Sequence, residues 1–220
     1  MRGFFVRSIA ILLGCFFSHL ASATVIGGNV TTGGVGATFH KLTVPLSNPL
    51  GAPNSVGNNT FQDNNLYAFD ENQNIVLAAP LMVDVVASGP LTLAVGTTVA
   101  SHYVFFDPGP TTSIDGTVDF DSEVLAIMTS TGKLAASDFL ANTGVNYLNP
   151  TLRGLEVGDM VTINGPKQIR FHTSASTPGD YVRVLTKFSP QALVLAPDTA
   201  SLLLLGLVGL MLLRRTRSLG

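Results

Sequence analysis

The chain has 220 residues, 12 Lys plus Arg against 14 Asp plus Glu, and a formal net charge of -2. That balance argues against a protein built to grip nucleic acid, which needs an excess of basic charge. One cysteine excludes an intramolecular disulfide framework and any cysteine-built zinc or iron–sulfur site. The chain opens on Arg2 and Arg7, followed by an almost wholly apolar run from Ser8 to Leu20. Ala21-Ser22-Ala23 then supplies the small-x-small pattern at which a secretory signal is cut, so residues 1–23 read as a signal peptide with Ala21 and Ala23 at its cleavage site. Two other readings of this segment are a buried N-terminal helix and a lipoprotein signal with Cys15 as lipid acceptor in Leu12-Leu13-Gly14-Cys15.

Residues 24–190 form the exported body, in which acidic residues outnumber basic ones. Such a surface does not seek anionic lipid or DNA. Residues 24–65 are expected to be largely irregular. Gly27 to Gly36 is rich in Gly and Thr, one strand-like run covers Thr38–Val44, and Pro45 to Asn65 collects Pro, Gly, Asn and Ser in a long loop, either mobile or ligand-binding. From Phe61 onward the pattern is regular. Short β-branched and aromatic runs at 75–78, 81–86, 91–95 and 99–106 are separated by Ala79-Pro80, Ser88-Gly89-Pro90, Gly96 and Asp107-Pro108-Gly109-Pro110. Further strands are expected at 116–120, 124–128, 160–163, 168–172 and 181–188, with turns at Gly158-Asp159 and Thr177-Pro178-Gly179-Asp180 and one short helix at 133–141. Turn signals at this spacing predict an all-β domain, mainly an antiparallel sandwich or jelly-roll-like body.

The cluster Asp115-Gly-Thr-Val-Asp-Phe-Asp-Ser-Glu123 is the most suggestive of chemistry. In a strand, alternate side chains share a face, so Asp119, Asp121 and Glu123 would project together while Val118 and Phe120 point to the core. Three such carboxylates suit Ca²⁺, although the spacing is not that of an EF-hand. The plainer reading is a solvated acidic face. Asp70-Glu71 could add ligands, but nothing in the sequence brings them near. Ser130-Thr131-Gly132-Lys133 lacks the glycine and the following Ser/Thr of a phosphate-binding loop. His40, His102 and His172 sit beside aromatics in expected strands, with no metal-binding spacing between them, and read as structural. No Gly-x-Ser-x-Gly elbow is present.

The chain closes on an apolar run from Ala200 to Leu213, followed at once by Arg214, Arg215 and Arg217. As a helix these 14 residues reach about 21 Å. Extended back to Ala192 the helix reaches about 33 Å, enough for a hydrocarbon core of about 30 Å. The arginines belong on the cytoplasmic side, which leaves the body outside, in agreement with the signal peptide. The alternative is a soluble core helix, apolar on every face.

The three-part ending resembles the PEP-CTERM sorting signal of bacterial surface proteins: a Pro-Glu-Pro motif, an apolar helix and a basic cluster. Here Pro197 matches, Asp198 stands where the family has Glu, and Thr199 replaces the second proline. The resemblance covers roughly the last 25 residues, within a C-terminal segment of 191–220, and implies recognition by exosortase, a membrane-embedded cysteine protease that cuts near the motif. Segments Asn65–Asn74, Ser101–Pro108, Gly116–Asp121 and Pro178–Arg183 also resemble a domain common in exported proteins of that group. That likeness implies a shared fold and brings no activity with it.

The expectation is an exported, non-enzymatic cell-surface or extracellular-matrix protein. It would be held in the inner membrane by its C-terminal transmembrane helix, transiently or permanently, and be in contact with exopolysaccharide. A carbohydrate-binding module, with or without Ca²⁺, is the second reading. A secreted hydrolase with an unrecognised site is the last. No cofactor is required by the first.

Overall fold

Two kinds of alternation build the body. In one, apolar and polar residues alternate, so that a strand has a core face and a water face; in the other, both faces are apolar and the strand is buried throughout. The computed structural model describes residues 23–188. Ala21 of the expected cleavage site, Pro197, Asp198 and Thr199 of the sorting motif, the apolar run and Arg214, Arg215 and Arg217 lie outside the described residues. Among the described residues no helix is long and apolar enough to cross a membrane.

The protein is mostly β-sheet. In chain order the strands are β1 (Val25–Thr32), β2 (Phe39–Lys41), β3 (Ser55–Val56), β4 (Leu66–Asp70), β5 (Ile75–Val76), β6 (Leu81–Met82), β7 (Val85–Val86) and β8 (Thr92–Leu93). They continue as β9 (Thr98–Phe106), β10 (Thr112–Phe120) and β11 (Val124–Met128), then helix α1 (Thr131–Ala136), β12 (Asn146–Tyr147), β13 (Met160–Ile163), β14 (Gln168–Ala175) and β15 (Asp180–Thr186). A smaller sheet has the order β1-β10-β14-β13, and a larger one the order β2-β4-β9-β15-β11-β7, with β5 also on β9. Pairing is antiparallel except for β2 with β4 and β12 with β3.

The smaller sheet follows the first pattern. Ile114, Val118 and Phe120 of β10, with Ile169, Phe171 and Ala175 of β14, point inward, while Asp115, Thr117, Arg170 and His172 lie on the other side. The larger sheet follows the second. β15 is buried at every residue and β9 at all but Thr98. Leu66, Ala68, Val104, Phe106, Val182 and Val184 share one core with the smaller sheet. Tyr67, Phe69, Tyr103, Phe105, Tyr181 and Leu185 face the opposite way, into a second core.

That second core is roofed by short elements: Leu46, Val56 and Phe61 from the loop, Leu77 and Val83 from the β5–β7 region, Leu134 of α1 and Leu140 of the 3-10 turn after it. Phe61, Tyr67 and Phe105 pack together with ring centroids 4.6–5.2 Å apart, Tyr67 stacked on Phe105 and Phe61 edge-on to Phe105. Such pairs add about 0.5–1.5 kcal/mol each beyond area burial.

The irregular stretch expected over residues 24–65 is corrected in two places. Val25–Thr32 is an eight-residue edge strand on β10, with register shifts at both ends. Its glycines hid it, and crowding accounts for one of them: a Cβ on Gly28 would lie 2.6 Å from both the Phe39 ring and the Thr117 carbonyl oxygen. The Pro45–Asn65 segment buries Leu46, Val56 and Phe61 and is tied by Asn54, whose Oδ1 accepts from the Leu46 amide at 2.8 Å.

Gly28→Ala should therefore destabilise the fold by about 1–3 kcal/mol. Gly27→Ala, whose Cβ would meet nothing within 4 Å, should be tolerated. Urea melts of the two variants check this; equal midpoints would contradict the crowding at Gly28.

Candidate functional site

Asp70 and Glu71 are consecutive at the end of β4, and a strand turns consecutive side chains to opposite faces. Each carboxylate consequently enters a different core and organises a different cluster. Asp70 lies between the two sheets. Its Oδ1 is 2.8 Å from Nδ1 of His102 on β9, whose Nε2 is 3.0 Å from Oγ1 of Thr186 at the end of β15.

This is the acid–imidazole–hydroxyl order of a nucleophilic relay. Accessibility denies it that use, because His102 and Thr186 are both fully buried. The cluster is instead a tie. Asp70 also accepts from the Thr24 hydroxyl at 2.6 Å and the Val25 amide at 2.9 Å, and pairs with Lys41 at 3.0 Å. Burial alone would raise the Asp70 pKa. The hydrogen bond and charge of His102, with the Thr24 and Val25 donors, hold it well below the usual carboxylate range.

Glu71 enters the second core and meets Arg183 of β15. The pair is bidentate, with Nε to Oε2 at 2.7 Å and Nη2 to Oε1 at 3.0 Å, and neither side chain has solvent exposure. A pair with no water to satisfy it needs every remaining donor and acceptor matched. Ser101 and Tyr147 donate to the two Glu71 oxygens, each at 2.6 Å. Arg183 Nη1 donates to Ser137 Oγ at 2.8 Å and to the Leu134 carbonyl at 3.1 Å. Burial would strip charge from Arg183, but the Glu71 carboxylate more than offsets this and holds the guanidinium above its ordinary range. Burial, then the charge and hydrogen bond of Glu71, push the Tyr147 phenol up, so it stays a donor.

The network runs outward. Arg183 Nη1 lies 3.3 Å from Asp138 Oδ1, and Arg153 pairs with the other oxygen of Asp138. Here the cluster meets a surface cleft of about 320 Å³, lined by Asp138, Asn142, Thr143, Val145, Tyr147 and Arg153 among others. Arg153 is only 4% exposed, and its Nε has no partner in the protein. Asp138 is 45% exposed at its side chain. The cleft thus brings together the almost wholly buried Arg153, a half-exposed carboxylate and a tyrosine, with apolar residues Val145 and Pro150 beside them.

The acidic strand face expected at Asp119, Asp121 and Glu123 does not form. β10 ends at Phe120 and the chain bends through Asp121 and Ser122 before β11, so the three carboxylates part company. Asp119 accepts from Gln168 at 2.6 Å, Asp121 from the Thr24 amide at 2.8 Å, and Glu123 pairs with Lys187 at 2.6 Å. Among the described residues no group of three or more His, Cys, Asp or Glu could hold a metal ion. Asp119 does line a separate open cleft of about 500 Å³, with Asn164, Lys167 and Gln168. Sequence reading missed Glu71, Arg183, Tyr147, Asp138 and Arg153 as a group. The available signal was Arg183 itself, a charge inside the apolar run Tyr181–Leu185.

Two more buried carboxylates stand near the β14–β15 turn. Burial pushes Asp107 up to about 6. Burial, with the negative charges of Asp159 and Glu156, pushes Asp180 up to about 7. No protein-family model, curated protein or solved structure matches the chain, so fold and site stand on this geometry.

Two outcomes follow from the charges. Arg183→Leu should destabilise the fold by about 3–5 kcal/mol, and adding Glu71→Leu should recover part of that loss, because the larger penalty is an unpaired buried charge. A double-mutant cycle from denaturant melts checks it, and additive losses would contradict it. Asp107 and Asp180 hold a proton more tightly folded than unfolded. Their stabilisation is complete below about pH 4 and is lost as pH rises through about 6 and about 7. Asp70 acts oppositely, its share being lost as pH falls below about 4. Melting temperature should fall between pH 5 and pH 8, and Asp180→Asn should flatten the upper part; a rise over that range would contradict the assignment.

Proposed function

We propose that the chain is an exported, non-enzymatic protein of the cell surface or extracellular matrix that contacts exopolysaccharide through the cleft at Arg153 and Asp138. In this reading residues 1–23 direct export. Residues 191–220 act as a PEP-CTERM-like sorting signal, with Pro197, Asp198 and Thr199 at the motif and Arg214, Arg215 and Arg217 as the basic stop. An exosortase-like enzyme is the processing partner. The body is a β-sandwich ectodomain standing outside the inner membrane, into which the C-terminal helix inserts.

The observation that carries the binding part is Arg153, nine-tenths buried and with its Nε unpartnered in the protein although its Nη2 pairs with Asp138, beside the half-exposed carboxylate of that residue. A sugar hydroxyl both accepts and donates, so one hydroxyl or a vicinal pair would satisfy both groups. Val145 and Pro150 would meet the C–H face of the ring. Asp138 beside the donor disfavours an anionic sugar and favours a neutral one. The hydrolase reading has one geometric lead in Asp70–His102–Thr186, and the sealed Thr186 hydroxyl weighs against it.

The tagged full-length chain should fractionate with the envelope or the medium, and retention in the cytosol would end the export reading. Intact mass from the native host should end near Pro197; an end at Gly220 would make the tail a plain anchor. Neutral oligosaccharides released from the host's exopolysaccharide should bind in calorimetry. Thr143→Trp, which fills the rim of the cleft, should weaken them at least tenfold. Binding unchanged by that variant would move the contact elsewhere.

A further inference from the structure

The first described residues are held more closely than a chain entering from outside needs to be. The Thr24 amide nitrogen donates to Asp121 Oδ1 at 2.8 Å, and the Asp121 amide donates back to the Thr24 carbonyl at 3.0 Å. The Thr24 hydroxyl donates to Asp70 Oδ2 at 2.6 Å and receives Lys41 Nζ, which also reaches the Val25 carbonyl at 2.7 Å. The backbone nitrogen, carbonyl and hydroxyl of one residue are thus all fixed. Two of the groups that fix them are carboxylates, in a body with few charges.

Thr24 is also the residue that signal cleavage after Ala23 would make the first of the mature chain. In that hydrolysis water adds across the Ala23–Thr24 amide. The C–N bond breaks, the water hydroxyl goes to the Ala23 carbonyl carbon and its other hydrogen to the Thr24 nitrogen; the new carboxyl then releases a proton to solvent and the amine takes one up, leaving a carboxylate and an ammonium. A neutral amide donor becomes an ammonium at the atom already 2.8 Å from a carboxylate oxygen. Charge-assisted hydrogen bonds are roughly twice as strong as neutral ones.

We propose that Asp121, with Asp70 holding the Thr24 hydroxyl, is a binding site for the chain's own α-ammonium at Thr24, so that removal of the signal peptide latches β1 onto the body. This rests on the reading of residues 1–23 as a cleaved signal. It goes beyond that reading by giving the cut a structural consequence. It also orders the events. Ala23 is fully buried in the folded chain, which keeps its peptide bond from a protease, so the cut precedes the closing of β1. The Oδ1 atom of Asp121 then carries the terminus.

The test compares four full-length-derived proteins in one detergent at pH 7: the naturally processed chain and an Ala21→Arg chain that retains its signal, each with and without Asp121→Asn. N-terminal sequencing of the processed chain should begin at Thr24. A different first residue overturns the cleavage reading and the latch together. With Thr24 first, Asp121→Asn should lower the melting temperature of the processed chain by about 4 °C more than that of the uncut chain. Equal drops overturn the latch and leave the cleavage reading intact. An independent measurement uses an amine-acylating ester. The Thr24 amine of the folded, processed chain should react at least tenfold more slowly than the same amine in urea, and Asp121→Asn should restore the fast rate. Fast acylation of the folded wild-type amine overturns the proposal.

Discussion

β9 and β15 have no side turned to water, and the polar groups along their middle must find partners within the protein. An antiparallel sheet ordinarily keeps one wet face. Here the smaller sheet covers one face and a layer of loops, short strands and α1 covers the other. His102 and Arg183 lie on these sealed strands, at adjacent positions along the pair. Each meets a carboxylate, and the end of β4 supplies one to each face, Asp70 and Glu71.

From this constraint the placing of the remaining polar groups follows. Asp70 spends its other lone pairs on Thr24 and Val25, which fastens the edge strand β1 to the larger sheet across the first core. Glu71 and Arg183 gather Ser101, Ser137 and Tyr147, which fasten α1 and the segment after it as a lid over the second core. Asp138 and Arg153 carry the same chain of charges to the surface. The candidate ligand cleft is thus the outer end of a structural network. Its Arg153 side chain is oriented by the fold before any ligand arrives, which reduces the ordering cost of binding.

Much of the sheet framework was legible. The runs at 99–106, 124–128, 160–163 and 168–172 read as strands because β-branched and aromatic residues stand between Gly and Pro turns, and strands are there. The Thr177–Asp180 turn is there as well, with Gly179 at φ +87°. Thr112 to Asp115 of β10 escaped because half of each alternating strand is polar. β1 escaped because glycine, which crowding demands at position 28, ordinarily marks loops. The site was far less legible. Glu71 and Arg183 are 112 positions apart, and Asp138 and Tyr147 lie in segments without regular pattern. What local sequence does contain is the anomaly of a charge in a doubly apolar run. It says that a partner exists without saying which. The acidic run at Asp119–Glu123 erred in the opposite way: alternation was extended past Phe120, where the chain bends.

The sealed Glu71–Arg183 pair is the claim on which the lid, the cleft and the orientation of Arg153 all depend. Native-state hydrogen exchange at the Arg183 Nε–H, followed by NMR, reads it directly. With the donor 2.7 Å from Glu71 and no solvent exposure, it should exchange only through opening of the fold, as slowly as the most protected amides of β9 and β15. Exchange at the rate of a surface arginine, with those amides still protected, would mean that water reaches the pair and that the second core is not closed as described.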